Sequence, residues 1–239
     1  MRIFIKKIQL LVSLSLFIFA SIHFIYYVYR DFLEGPRRLK FMTWWNLYIN
    51  SIYFIVVLIS DICLYFNNRR MEKINFFFRE HYSAICTTLT FLVSIIFWLM
   101  IYLPILITNQ FSKINEMGTF YENLYVHLII TIIQILDIFF AQKTLMKFNW
   151  NHIFGLTILF FCYGIVVAIE KFVKNFSIYP FFNDLKWWNF PFFIVFFVCC
   201  YCLIYKFCYL KLIEIKYKKK IFVLESQEIP INNVESLKI

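Results

Sequence analysis

A hydroxyl and a base are the two parts needed for nucleophilic catalysis, because a hydroxyl attacks a carbonyl only when a base within reach takes its proton. Two residues of this chain could form such a pair, Thr43 and His127. Each lies in an otherwise apolar stretch and shares one helical face with other polar side chains. Thr43, Asn46, Asn50 and Asp61 fall within a ~60° arc of a regular helix. Asn123, His127, Thr131 and Gln134 fall within about 80° on a second helix, with Asp137 at its edge. Polar side chains inside an apolar span are costly and face the interior of a bundle. The two stripes therefore predict a shared cavity, lined by Asn50, Thr131 and Gln134, with Thr43 and His127 at one end of it.

Depth separates the two acids from the pair. Both stretches enter the apolar layer from the same side, so Thr43 and His127 lie at similar depth. Asp61 is about 27 Å further along its helix and Asp137 about 15 Å below His127, at 1.5 Å per residue. Neither acid can complete a triad. Asn46 and Asn123 are each one turn from a reacting residue, placed to orient the imidazole or to donate to an oxyanion; the spacing alone does not choose between them. Each residue also has an ordinary structural reading. Thr43 and Asn46 resemble an N-cap and its partner three residues on. His127 also reads as a buried histidine bonded to the Asn123 carbonyl or to another helix. Asp61 and Asp137 read as anchors beside Arg69, Arg70 and Lys143.

The elements that must hold these residues are set by composition. The 239 residues are 62% hydrophobic and 16% charged, with 4 Gly and 5 Pro, against about 45–50% and about 25% in a soluble domain. Soluble, disordered and collagen-like classes are excluded. A bilayer needs about 20 apolar residues per helix, and six stretches answer: 8–29, 42–66, 82–107, 122–140, 150–169 and 189–212. The fold class is thus all-α, a polytopic bundle of six transmembrane helices forming one domain over 1–220, followed by a polar tail over 221–239. The first stretch is too long for the apolar part of a signal peptide. Pro104 should kink the third near one end, and Trp44 and Trp45 read as interfacial anchors. The Lys-rich start of the tail suits anionic headgroups.

Charge serves topology. The net charge is +10, and roughly two thirds of the basic residues collect on the side that holds both termini, which predicts a cytosolic N- and C-terminus. These charges flank spans and do not form the basic patch that nucleic acid requires. The seven cysteines all fall inside spans, so no disulfide framework is implied. Cys199, Cys200 and Cys202 lack the paired spacing of a zinc site; neither metal nor cofactor is expected. The 32 Phe and 16 Tyr are encoded by AT-rich codons, as Ile, Asn and Lys are, and carry little functional weight.

Several segments together resemble the androgen-induced and androgen-dependent TFPI-regulating membrane proteins. Lys40-Phe41-Met42-Thr43 with Asp61 beyond is similar to their second helix. Asn123 and His127 followed by Asp137 are similar to their fourth, and Ile178-Tyr179-Pro180-Phe181 to a segment after their fifth. The resemblance covers residues of about 20–205 in hydropathy and spacing. It implies six spans and an atypical threonine hydrolase acting on fatty acid esters of hydroxy fatty acids, with Thr43 as nucleophile and His127 as base. The chain departs from the pattern at Leu124 and Leu128, where the family commonly has histidine and threonine. It departs again at Asn46, where an acid is usual, and at Lys171 and Phe172, where a histidine is missing.

The expectation is therefore a membrane-embedded enzyme with a lipid substrate, in the endoplasmic reticulum or plasma membrane. Two other classes stand beside it. One is a non-catalytic lipid-binding or signalling protein whose polar stripes are structural. The other is a small transporter with Asp61, Asn50, Gln134 and Asp137 as a polar path, although no internal repeat supports it.

Overall fold

The computed structural model describes residues 2–34, 41–66, 70–102, 123–140, 148–174, 186 and 189–226, and these are helical almost throughout with no strand among them. Helix α1 is Arg2–Glu34 and α2 is Met42–Tyr65. Helix α3 runs continuously over 71–102, with π-turns at Phe78–Tyr82 and Ile96–Tyr102 around an α segment Ser83–Ile95. Helix α4 covers 123–140, opening with a π-turn at Tyr125–Ile129. Helix α5 covers 150–173 and α6 covers 190–226, with a π-turn at Tyr205–Tyr209. Five of the six are long and apolar enough to cross a membrane, and the fourth is a shorter apolar helix, Tyr125–Phe140. Pro104 and the Ile178–Phe181 segment lie outside the described residues, as does the tail from 227.

Two helices extend beyond their sequence-based limits for identifiable reasons. The third begins at Met71 rather than at 82, because Arg79 sits within the helix, 2% exposed, and not in a loop. The sixth continues through Lys-rich sequence to Ser226, so the first residues of the expected polar tail are helical. There Glu214 pairs with Lys211 and Lys218 at one-turn spacing, which offsets part of the like-charge repulsion.

Helix α3 is central. In its apolar window 61% is buried, against 24% for α1 and 17% for α6, whose remaining faces carry apolar side chains outward. Two core clusters flank it. One gathers Ala84, Leu89 and Leu92 of α3 with Leu156 and Tyr163 of α5 and Tyr201, Tyr205 and Tyr209 of α6. The other joins Leu16 and Ala20 of α1, Leu47 and Phe54 of α2, and Tyr125 and Val126 of α4. Trp44 and Trp45 divide between them: Trp44 packs on the second, and Trp45 on the first, edge-on to Tyr163 at 5.6 Å. Gly155 lets α5 approach α3, since a Cβ there would meet Ile85 at 3.2 Å. All seven cysteines are free.

Candidate active site

The interior polar side chains sort into two levels. At the lower level Asp61 of α2 accepts from Gln9 and Ser13 of α1, from Asn75 of α3 at 2.7 Å and from Arg79. Arg79 also lies 3.6 Å from Asp137 of α4, and the Tyr53 hydroxyl donates to Asp137 at 2.6 Å. Asp61, Arg79 and Asp137 are all at least 95% buried. Two carboxylates around one guanidinium in an apolar layer hold each other in place, and burial without such partners would be far costlier. Both acids are thus held by Arg79 inside the bundle; of the loop cations set beside them by the sequence, Arg69 and Lys143 lie outside the described residues.

One level up, the two polar stripes meet. Gln134 of α4 donates to the Asn50 side-chain oxygen. Asn50 in turn donates to the Asn46 side-chain oxygen at 2.9 Å and to the Thr90 hydroxyl at 3.0 Å. The Thr90 hydroxyl donates to Asn46 at 2.9 Å, and the Thr87 hydroxyl to Gln134 at 2.8 Å. Asn50, Thr87 and Gln134 are completely buried. Asn50 and Gln134 bond to each other and to α3, because amides in an apolar layer gain most by satisfying one another. Thr131 also turns to the backbone, donating to the His127 carbonyl oxygen at 2.9 Å.

Thr43 stands in the first turn of α2, but not as its cap. The N-cap is Phe41, in an extended conformation with no side-chain cap bond. The Met42 amide, one of the orphan donors of a helix start, donates instead to the Tyr163 hydroxyl of α5 at 3.1 Å. That leaves the half-buried Thr43 hydroxyl out of the capping arrangement, and the N-cap reading falls.

His127 lies in the π-turn Tyr125–Ile129, whose signature is the Ile130 amide bonding back to Tyr125. Such turns add one residue to a helix and recur at functional sites. The His127 ring is 4% exposed and stacks face to face on Phe97 of α3, with centroids 3.7 Å apart and planes 6° apart. Its carbonyl accepts from Ser94 of α3 as well as from Thr131. Backbone and ring are thus both fixed from α3. Its Nδ1 has no hydrogen-bond partner among the described residues, nor has the Asn123 amide nitrogen one turn earlier. The ordinary reading, in which Asn123 satisfies the imidazole, does not account for these two free atoms.

Register gives Thr43 and His127 corresponding positions on their two helices. Helices α2 and α4 run parallel, and two side-chain hydrogen bonds between them, Gln134 to Asn50 and Tyr53 to Asp137, have the same separation of 84 residues. The same separation pairs Thr43 with His127, about two turns earlier on both helices. Helix α3 gives the same answer. Asn50–Thr90 and Asp61–Arg79 define one antiparallel register between α2 and α3, and carrying it on from Asn50 brings Thr43 level with Phe97, the residue beneath His127. No hydrogen bond joins the Thr43 hydroxyl to the imidazole among the described residues.

Sequence reasoning missed Thr87, Thr90, Ser94, Phe97 and the burial of Arg79. A helical membrane bundle, with five spanning helices and a shorter apolar one among the described residues, a polar interior and a histidine held at one end, is the class these features define. The chain matches the FAR-17a/AIG1-like protein family over residues 8–215. It belongs to that family, the androgen-induced gene 1 family, which the second- and fourth-helix segments had pointed to. No curated protein and no solved structure matches the chain.

Proposed function

We propose that the protein is an intramembrane hydrolase of lipid esters, with Thr43 as nucleophile and His127 as general base. The observation that carries this reading is the buried His127 ring stacked on Phe97 with its Nδ1 free among the described residues, and the registers above, carried on from the hydrogen-bonded pairs, support Thr43 as its partner. In the reaction His127 takes the Thr43 proton as Oγ bonds to the ester carbonyl carbon, and returns it to the departing alkoxide. The alcohol leaves and a threonine acyl-ester remains. His127 then deprotonates water, which attacks the acyl carbon and frees the acid and Thr43. Apo geometry at catalytic pairs is often loose and tightens around the substrate, so a missing bond between the two residues does not oppose this. The His127 ring needs no carboxylate to orient it, since Phe97 and the Ser94 contact do so.

Membership of the family and the apolar surroundings support a long-chain substrate, and the sequence resemblance favours fatty acid esters of hydroxy fatty acids. The proposed setting is the endoplasmic reticulum or plasma membrane with both termini in the cytosol. One observation favours a second reading, a non-catalytic lipid-binding or signalling protein: the interior polar groups are largely engaged with one another. Labelling with a fluorophosphonate probe separates the two. Wild-type protein in detergent should label, and Thr43→Ala should not; absence of labelling in the wild type would favour the non-catalytic reading.

A further inference from the structure

We infer that Asn123 supplies the hydrogen-bond donor to the substrate carbonyl oxygen, a role that rests on the hydrolase reading above. Asn46 and Asn123 were the two amides within a turn of the reacting residues, and the structure separates them. The Asn46 side-chain oxygen accepts from both Asn50 and Thr90, which fixes that amide in the level below. The Asn123 nitrogen is free among the described residues although the residue is only 6% exposed. A buried amide donor without a partner costs free energy, and such a group calls for a ligand or catalytic explanation.

Its position suits a ligand. Asn123 is one turn before His127 on α4, and residues at that spacing share a helix face. The second free atom, His127 Nδ1, belongs to that neighbour. Neither the Phe97 stack nor the Ser94 and Thr131 contacts use either atom. A carbonyl carbon held at Thr43 would carry its oxygen, an acceptor in the ground state and an anion in the tetrahedral intermediate. An amide N–H is the donor such an oxygen requires, and its contribution grows as the charge develops. The free Nδ1 does not fill this role, because the imidazole must accept the Thr43 proton.

The test is steady-state hydrolysis of a long-chain ester by purified full-length protein in detergent. It compares wild type with Asn123→Ala, Asn123→Asp and Asn123→Gln, with Thr43→Ala as control. Loss of one oxyanion donor should lower kcat by about 10²–10³-fold in the alanine and aspartate variants, with KM changed by less than about threefold. Glutamine, which keeps a donor, should recover part of kcat. A merely structural role would instead lower the amount of folded protein and leave kcat of the survivors intact. If alanine does not fold, the near-isosteric aspartate decides. Wild-type kcat in a folded Asn123→Asp or Asn123→Ala protein, with Thr43→Ala inactive, would overturn the inference and leave the hydrolase reading standing. Absence of turnover in the wild type would overturn both.

Discussion

His127 illustrates how a buried imidazole can be oriented without a carboxylate. Face-to-face stacking on Phe97 at 3.7 Å fixes the ring plane, and two hydroxyls fix its backbone carbonyl. Phe97→Ala should therefore lower kcat by about tenfold or more, since small misplacements of a catalytic group are expensive, while Phe97→Tyr should keep most of it. Ester turnover of the two folded variants checks this; equal rates would dissociate the stack from function. Phe97 had no visible signal in the sequence, being one of 32 phenylalanines. Ser94, Thr87 and Thr90 were equally silent, because serine and threonine in apolar helices commonly bond their own backbone, as Thr88 does to Ala84 at 2.7 Å. Thr43 and His127 stood out as candidates because a hydroxyl and an imidazole each lay on a polar stripe.

At the level of elements, the helical period located the two stripes, and antiparallel and parallel pairing brought them together on α3. What the period could not reveal is the π-turn at Tyr125–Ile129, which has no composition of its own and shifts Asn123 relative to Gln134. Nor could hydropathy place Arg79, since a charge ends an apolar run unless its counter-ions are known. Those counter-ions come from α2 and α4, and Ser13 of α1 joins them at 3.0 Å, so one guanidinium fastens four helices. Arg79→Met should destabilise the bundle by about 3–5 kcal/mol, the cost of leaving buried acids unpaired. Asp61→Asn in addition should recover part of that loss. Thermal unfolding of the detergent-solubilised variants measures both, and a single variant as stable as wild type would remove Arg79 from this role. Asp61→Asn alone should reduce abundance more than turnover, because Asp61 belongs to the lower level.

For the whole molecule, the sequence made the membrane class plain through composition and run length, and the structure adds which helices are shielded. Helices α1 and α6 face outward with apolar side chains such as Leu11, Phe19, Phe192 and Phe207, while α3 is the most buried of the spanning helices among the described residues. An even number of spans would return the chain to its starting side, and on the topology proposed above the excess of basic residues there makes that side the cytosol. Epitope tags at both ends should be accessible after selective permeabilisation of the plasma membrane, and a tag protected at either end would contradict this topology. Charge placed at an outward position near mid-helix, as in Phe161→Lys, should cost about 2.5–3.5 kcal/mol of insertion free energy, read as reduced membrane integration.

The central claim is that Thr43 and His127 act together on an ester. The most direct measurement is hydrolysis of a fatty acid ester of a hydroxy fatty acid by purified wild type, Thr43→Ala, His127→Ala and the double variant, each confirmed as folded by its unfolding midpoint. The account predicts turnover in the wild type, a loss of at least about 10³-fold in each single variant, and no further loss in the double, since residues acting as a unit are not additive. Folded Thr43→Ala or His127→Ala protein that hydrolyses the ester at the wild-type rate would contradict it.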